Sequence, residues 1–206
     1  MLPVNHTSAI RESGRIQLLM GLVVAVIALG SMLVSADMVL RDPDTLWHIK
    51  TGDDIWKTLS LPVQDTYSFT FSGHPWIAKE WLAQVVFSAV HAANGWKGVV
   101  ILSGLVVALT TFLFYREIAR VANPRIAAII TVVAIFLAST MFTARPQVLI
   151  LPLAVTWTAL VFRAAERRVA PSPLILLLLV GWANLHGSFL LGIIIAVFAF
   201  AALLVK

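Results

Sequence analysis

From Ile16 to Ala36 no charged side chain interrupts the chain, and no other feature narrows its possible folds as much. Crossing a bilayer core of about 30 Å takes roughly 20 apolar residues of helix. Further apolar runs recur near 98–115, 126–143, 146–163, 173–185 and 187–205. They are continuous rather than alternating, which predicts helices and not barrel strands, since backbone polar groups in lipid must be satisfied within each segment or around a closed sheet. With 60% hydrophobic residues the chain is too apolar for a soluble domain. Cysteine is absent, which removes disulfides, zinc–thiolate centres and thiol nucleophiles. The net charge of +5 reads as a topology signal and not as a nucleic-acid footprint, because basic residues gather at cytoplasmic helix ends.

The expected fold is therefore an all-α polytopic membrane bundle. Residues 1–15 form a polar cytoplasmic leader carrying Arg11 and Arg15, and residues 16–206 form a single transmembrane domain. An Asn5-His6-Thr7 sequon on that basic side is a chance match. An outer loop over 37–97 is expected to carry two surface helices, at 45–57 and 79–94. The second has Glu80, Gln84, Ser88 and His91 on one face, a polar stripe at helical spacing. If it lies along the interface, then Arg11/Arg15, Arg116/Arg120/Arg125, Arg163/Arg167/Arg168 and Lys206 all face the cytoplasm. If it spans, the two three-arginine clusters move outside. The basic-side bias thus predicts about six spanning helices, a cytoplasmic amino terminus and an outward-facing loop, in what reads as a bacterial inner (plasma) membrane. The same arrangement brings the loop, Arg145-Pro-Gln147 and Asn184-Leu-His186-Gly-Ser188 to one face.

Seven of the ten acidic residues lie between Asp37 and Glu80, so chemistry is expected in that loop. Asp42-Pro43-Asp44 precedes a segment whose Leu46, Ile49 and Trp56 recur at helical spacing, which makes Asp44 the expected N-cap of a surface helix. A carboxylate against low-dielectric surroundings would have a raised pKa and could act as a general base; the plainer reading makes both aspartates turn and cap residues. His48, one turn after Asp44, could share a proton or a metal with it, and is otherwise a solvated interfacial histidine. Asp53 and Asp54 read as a solvated helix face. Trp47, Trp56, Trp76, Trp81 and Trp96 read as an interfacial aromatic belt in preference to a sugar-stacking platform. Lys79 and Glu80 flank Trp81, where a lysine either binds a lipid phosphate or snorkels. Arg145 has no acidic neighbour in sequence and breaks the basic-side bias, so it needs an anionic partner, an aspartate of the loop or a phosphate. Asn184 and Ser188 suit helix packing, whereas His186 is expected to line a cavity, because an intramembrane imidazole is costly.

The order of these parts resembles the amino-terminal half of the GT-C superfamily of membrane glycosyltransferases, above all the lineage of protein O-mannosyltransferases and lipid A aminoarabinose transferases. There a first span leads to an outer loop with an Asp-Glu or Asp-X-Asp element, a surface helix, a His-Pro or Lys-Pro segment and a helix entering the second span. Here the matching parts are Asp42-Pro43-Asp44, TLWHIKTGDDIWKTLSLP, His74-Pro75-Trp76 and KEWLAQVVFSAVHAANGW, within residues 16–168. Thr45 stands where many relatives have Glu, and the chain ends after about six spans where the family has eight or more. The resemblance implies transfer of a sugar from a polyprenyl-phosphate donor to an acceptor on the outer face. It implies Asp44 as the catalytic carboxylate, Asp42 as the second acid and Lys79 at the carrier phosphate; His48, Glu80, Arg145, Gln147, Asn184 and His186 are the further candidate substrate contacts read from the chain itself.

Two other classes compete: a non-catalytic membrane subunit or transporter component of envelope polysaccharide assembly, and a truncated transferase homologue that only binds. Transporter halves predict broken spans and internal repeats; no repeat stands out here, and the prolines sit mostly near helix ends. No cofactor is called for. The loop has acids enough for one divalent cation, without a spacing that demands it. The expected partners are the lipid donor and the bilayer; the oligomeric state stays open.

Overall fold

The computed structural model describes residues 6–204, all of whose regular structure is helical. Asn5 of the sequon and Lys206 lie outside the described residues. Helix α1 (His6–Val34) begins well before the expected Ile16, so part of the predicted leader continues the first span as helix. A single turn, α2 (Ala36–Val39), leads to the surface helix α3 (Asp44–Thr58), one residue longer at each end than expected. An irregular segment follows, then α4 (Trp81–Ile118), α5 (Pro124–Ala138), α6 (Pro146–Glu166), α7 (Leu176–Leu185) and α8 (Phe189–Leu204). Four helical stretches, Gly14–Val34, Trp81–Ile118, Pro124–Met141 and Pro146–Glu166, are long and apolar enough to cross a membrane. The stretches Pro173–Leu185 and Phe189–Leu203 are shorter apolar helices.

The helix α4 is two helices in one. Gly95 interrupts it with φ 59° and ψ −153°, a conformation closed to residues with a side chain. The chain folds back so sharply there that a Cβ on Gly98 would sit 2.8 Å from the Val90 carbonyl oxygen. The first arm, 81–94, packs on α3, and the second, 96–118, runs antiparallel to α1: Gly104 meets Leu29 near one end, and Gly21 meets Tyr115 near the other.

The polar stripe expected along 79–94 does not face water. Gln84 and Ser88 are buried against α3, where a Cβ on Gly52 would lie 2.1 Å from the Gln84 carbonyl oxygen. Ser88 donates to Asp53 at 2.5 Å, while Asp54 takes Lys50 at 2.5 Å and the Tyr67 hydroxyl at 3.0 Å, so neither acid is part of a free solvated face. Of Leu46, Ile49 and Trp56, the apolar residues that recur along α3, only Ile49 faces the packing. Leu46 and Trp56 are more than half exposed, and the buried face is Thr45, His48, Ile49, Thr51, Gly52 and Ile55. Small and polar residues let two helices approach closely, which is how contacts form where apolar bulk gains nothing by leaving its surroundings.

Three apolar clusters hold the bundle. One gathers Met32, Val39, Ile49, Phe87, Val99 and Val148 where α1, α3, α4 and α6 meet at the loop end. A second joins Trp157, Val161, Trp182 and Ala199 from α6, α7 and α8. A third, with Val24, Tyr115, Ala119 and Ala127, closes the opposite end. At that opposite end Glu117 pairs with Arg163 and lies 3.7 Å from Arg120. Elsewhere the spans turn large apolar side chains outward: Val26, Ile27, Phe136 and Leu137 are each at least 60% exposed. Such a surface suits lipid and not water.

Candidate functional site

Three chain segments, far apart in sequence, meet at the loop end. Pro43, between two carboxylates, holds the N-cap position of α3, and Asp42 Oδ1 accepts from the Asp44 backbone N–H at 3.0 Å. The expected N-cap role of Asp44 is thereby corrected, because Asp44 is the first helical residue and its side chain is free to turn away. Both carboxylates converge on Arg145, which enters from the junction of η-turn 139–141 and α6. Its Nη2 holds Asp44, and its Nε lies 3.2 Å from Asp42 Oδ2. The anionic partner that the lone arginine required is thus an aspartate pair. The junction is pinned by two further bonds, Ala144 N–H to the Val39 carbonyl at 2.8 Å and the Thr45 hydroxyl to the Ala144 carbonyl at 2.9 Å. Asp42 is more enclosed than Asp44, 16% against 39% side-chain exposure, so Asp44 is the carboxylate that a solute can reach.

His186 stands beside this triad. Its Nδ1 accepts from the Ser188 backbone N–H at 3.1 Å and lies 2.8 Å from the Ser188 hydroxyl. The acceptor role of Nδ1 puts the proton of the neutral ring on Nε2, 3.5 Å from Glu80 Oε1. Burial lowers the His186 pKa; Glu80 opposes that shift, and the positive charges of Lys79 and Arg145 add to it. Ser188 also accepts from the Trp182 indole at 3.0 Å, and Asn184 accepts from the Trp81 indole at 2.8 Å. Sequence reasoning did not single out Trp182, and no helical spacing ties it to Ser188, because α7 ends at Leu185 and His186 is extended. The exposed Lys79 extends over Gly187, with Nζ 3.8 Å from where a Cβ of that glycine would be.

His48 departs from its expected solvated position. It is 2% exposed, stacked beside Trp47 with ring centroids 3.9 Å apart and with the Gln84 amide 3.5 Å from Nδ1. Burial pushes its pKa down to about 4; Asp42 acts against this and His186 with it. The carboxylate whose charge it feels is Asp42, not the Asp44 expected from sequence spacing. Gln147 sits half-buried on the first turn of α6, outside the hydrogen-bonded set described above. Among the described residues no three His, Asp or Glu side chains converge as a metal site.

Beside the triad an apolar groove of about 400 Å³ opens between α1 and α5. Val24, Ile27, Val132 and Phe136 form its walls, and Arg41 and Thr143 close its loop end. Arg41 is held there by a 3.0 Å bond to the Thr140 carbonyl. The arrangement offers an ion-paired guanidinium, a partly exposed carboxylate and an apolar trough whose loop end is lined by Arg41.

The fold and site together define a helical protein of the membrane-embedded type, with a polar centre at one end of its bundle. No family description, curated protein or solved structure matches the chain.

Proposed function

We propose that this chain is a GT-C-type glycosyltransferase, or the amino-terminal part of one, that moves a sugar from a polyprenyl-phosphate donor to an acceptor hydroxyl. The observation carrying the reading is the pairing of Asp42 and Asp44 with Arg145, whose near neighbours in the chain, Arg41 and Thr143, line the loop end of an apolar groove. A prenyl chain fits that groove by its chemistry, and its phosphate would then lie at the loop end, where Arg41 stands next in sequence to Asp42. The phosphate competes with Asp44 for Arg145, and the exchange frees Asp44 as a base. The bond between the sugar's anomeric carbon and the phosphate oxygen breaks as one forms to the acceptor oxygen. The acceptor proton goes to Asp44 and the electron pair to the phosphate, whose growing charge Arg145 and Lys79 stabilise. Glu80, Asn184 and His186 border the acceptor space in this reading, and Gln147 is a further candidate contact from the first turn of α6.

Six spans, with α7 and α8 as the short fifth and sixth, put the arginine-rich end in the cytoplasm and the triad outside. A bacterial inner membrane supplies the lipid donor in this reading. The arm 81–94 lies at the interface, because the turn at Gly95 lets α4 change direction there.

A second reading has a specific observation in its favour: Asp42, Asp44 and Arg145 satisfy one another, as a structural staple in a non-catalytic membrane subunit would. Purified protein titrated with undecaprenyl phosphate separates the two. The transferase reading expects saturable binding that Arg145→Ala weakens at least about tenfold, a loss of roughly 1.4 kcal/mol typical of a charge-assisted contact, and that Asp44→Asn keeps or strengthens. The staple reading expects no saturable binding, and a lower melting temperature for both variants.

A further inference from the structure

The irregular segment between α3 and α4 folds into a compact turn away from the triad. Asp65 N–H donates to the His74 carbonyl at 2.8 Å, Gly73 N–H returns to the Asp65 carbonyl at 2.7 Å, and Trp76 N–H donates to the Val63 carbonyl at 2.9 Å. This crossing brings Trp76 over Trp47 of α3 with ring centroids 6.0 Å apart and planes at 62°. Tyr67 closes the corner, 5.6 Å from Trp76 at 75°, and its hydroxyl is tied to Asp54 at 3.0 Å. Three rings at steep mutual angles, with the Asp65 carboxylate and Ser68, surround a hollow of about 310 Å³. An aromatic belt lies in a plane at the interface; here three rings packed edge to face line one space together with a carboxylate.

Asp65 determines what that space recognises. Its Oδ1 accepts from the backbone N–H groups of Tyr67 and Ser68 at 2.8 and 2.9 Å, and Oδ2 accepts from the Ser68 hydroxyl. A carboxylate has about four acceptor positions, so little directional capacity remains for sugar hydroxyls while the negative charge remains whole. The Ser68 hydroxyl and backbone bonds hold its pKa below the usual carboxylate range, which keeps that charge in place. A hydrated metal ion would need several oxygen ligands and would lose hydration against three aromatic walls. A weakly hydrated organic cation meets ring faces and a full negative charge at once.

We propose that Trp47, Tyr67 and Trp76 with Asp65 form an aromatic cage for an organic ammonium group, carried either by a small molecule or by a lipid headgroup. The cage shares no residue with the Asp42–Asp44–Arg145 triad, so this inference stands or falls apart from the transferase reading.

Tryptophan fluorescence of the protein in alkyl maltoside micelles, titrated with choline, tests it. A saturable change is expected with choline and not with 3,3-dimethylbutan-1-ol, its uncharged isostere. Trp76→Ala should weaken the response about tenfold or more, consistent with loss of a desolvated cation–π contact of up to about 2 kcal/mol. Asp65→Asn keeps an oxygen for the two backbone donors and should weaken it severalfold; circular dichroism and melting show that both variants are folded. Nanodiscs assign the source. If phosphatidylcholine discs abolish the choline response and phosphatidylglycerol discs preserve it, the ammonium comes from a lipid headgroup; if both preserve it, from a solute. Equal responses to choline and its isostere, a response to methyl glucoside alone, or no saturable response from folded protein would overturn the cage.

Discussion

At the scale of single residues, the site depends on charge that must be matched. Arg145 drew attention because it stood alone in sequence at the wrong end of a helix, and the need of a half-buried guanidinium for an anion led to Asp42 and Asp44. The roles within the pair were not legible, because capping is decided by the backbone angles at Pro43, not by which aspartate comes closer to the apolar run. His48 was misjudged for a related reason: beside Trp47 and at a loop it reads as wet, yet its face of α3 is the one that packs. That burial makes a prediction. The folded-state pKa of about 4 lies below the ordinary 6.5, so the contribution of neutral His48 is whole above pH about 6.5 and is lost as pH falls toward 4. Each pH unit inside that window costs about 1.4 kcal/mol at most. Melting temperatures in detergent should therefore fall from pH 7 to pH 5 more steeply for wild type than for His48→Gln. Parallel pH profiles for the two proteins would refute the assignment. For the proposed reaction, Asp44→Asn should remove about two or more orders of magnitude of transfer, the usual contribution of a general base, in protein that still melts near the wild-type temperature.

At the scale of elements, two glycines set the geometry. Gly52→Ala drives a methyl group against the Gln84 backbone, 2.1 Å from its oxygen, where no flexible side chain can yield. A loss of about 3 kcal/mol follows from overpacking of that kind, and the detached α3 would expose Asp53 and His48; limited proteolysis of the loop in detergent should accelerate. Gly95→Ala forces a Cβ into left-handed backbone at a cost of about 1–3 kcal/mol, with α4 straightening as the alternative. Differential scanning fluorimetry should show a lower transition for Gly95→Ala and little change for Gly14→Ala, where a methyl group meets nothing within 4 Å. The break at Gly95 was readable from sequence, as glycine followed by tryptophan between two apolar stretches. The orientation of α3 was not. Of Leu46, Ile49 and Trp56 only Ile49 is buried, and the helix packs chiefly through Thr45, Thr51 and Gly52, whose small side chains allow close approach.

Across the whole molecule, the proposed sidedness of the bundle rests on its arginines, and it can be tested directly because the chain has no cysteine. Ser72 and Ala170 are both exposed, one in the loop and one beyond α6. Under the proposed topology an impermeant maleimide should label Ser72→Cys in intact cells and Ala170→Cys only after permeabilisation. The reverse pattern would put the triad on the cytoplasmic side and remove a lipid-linked outer-face reaction.

The continuous apolar runs by themselves decided that this chain is helical, roughly where its helices lie, and that its polar chemistry is concentrated between the first two long ones, since hydrocarbon length and backbone hydrogen bonding leave a chain of this composition few alternatives. Tertiary structure alone decided which carboxylate stays reachable, that His48 is dry, and that Trp47, Tyr67 and Trp76 line a common space. Each of those depends on how closely two helices or a folded loop approach, and that distance is set by small residues and backbone angles far apart in the chain, which periodicity along one segment does not encode.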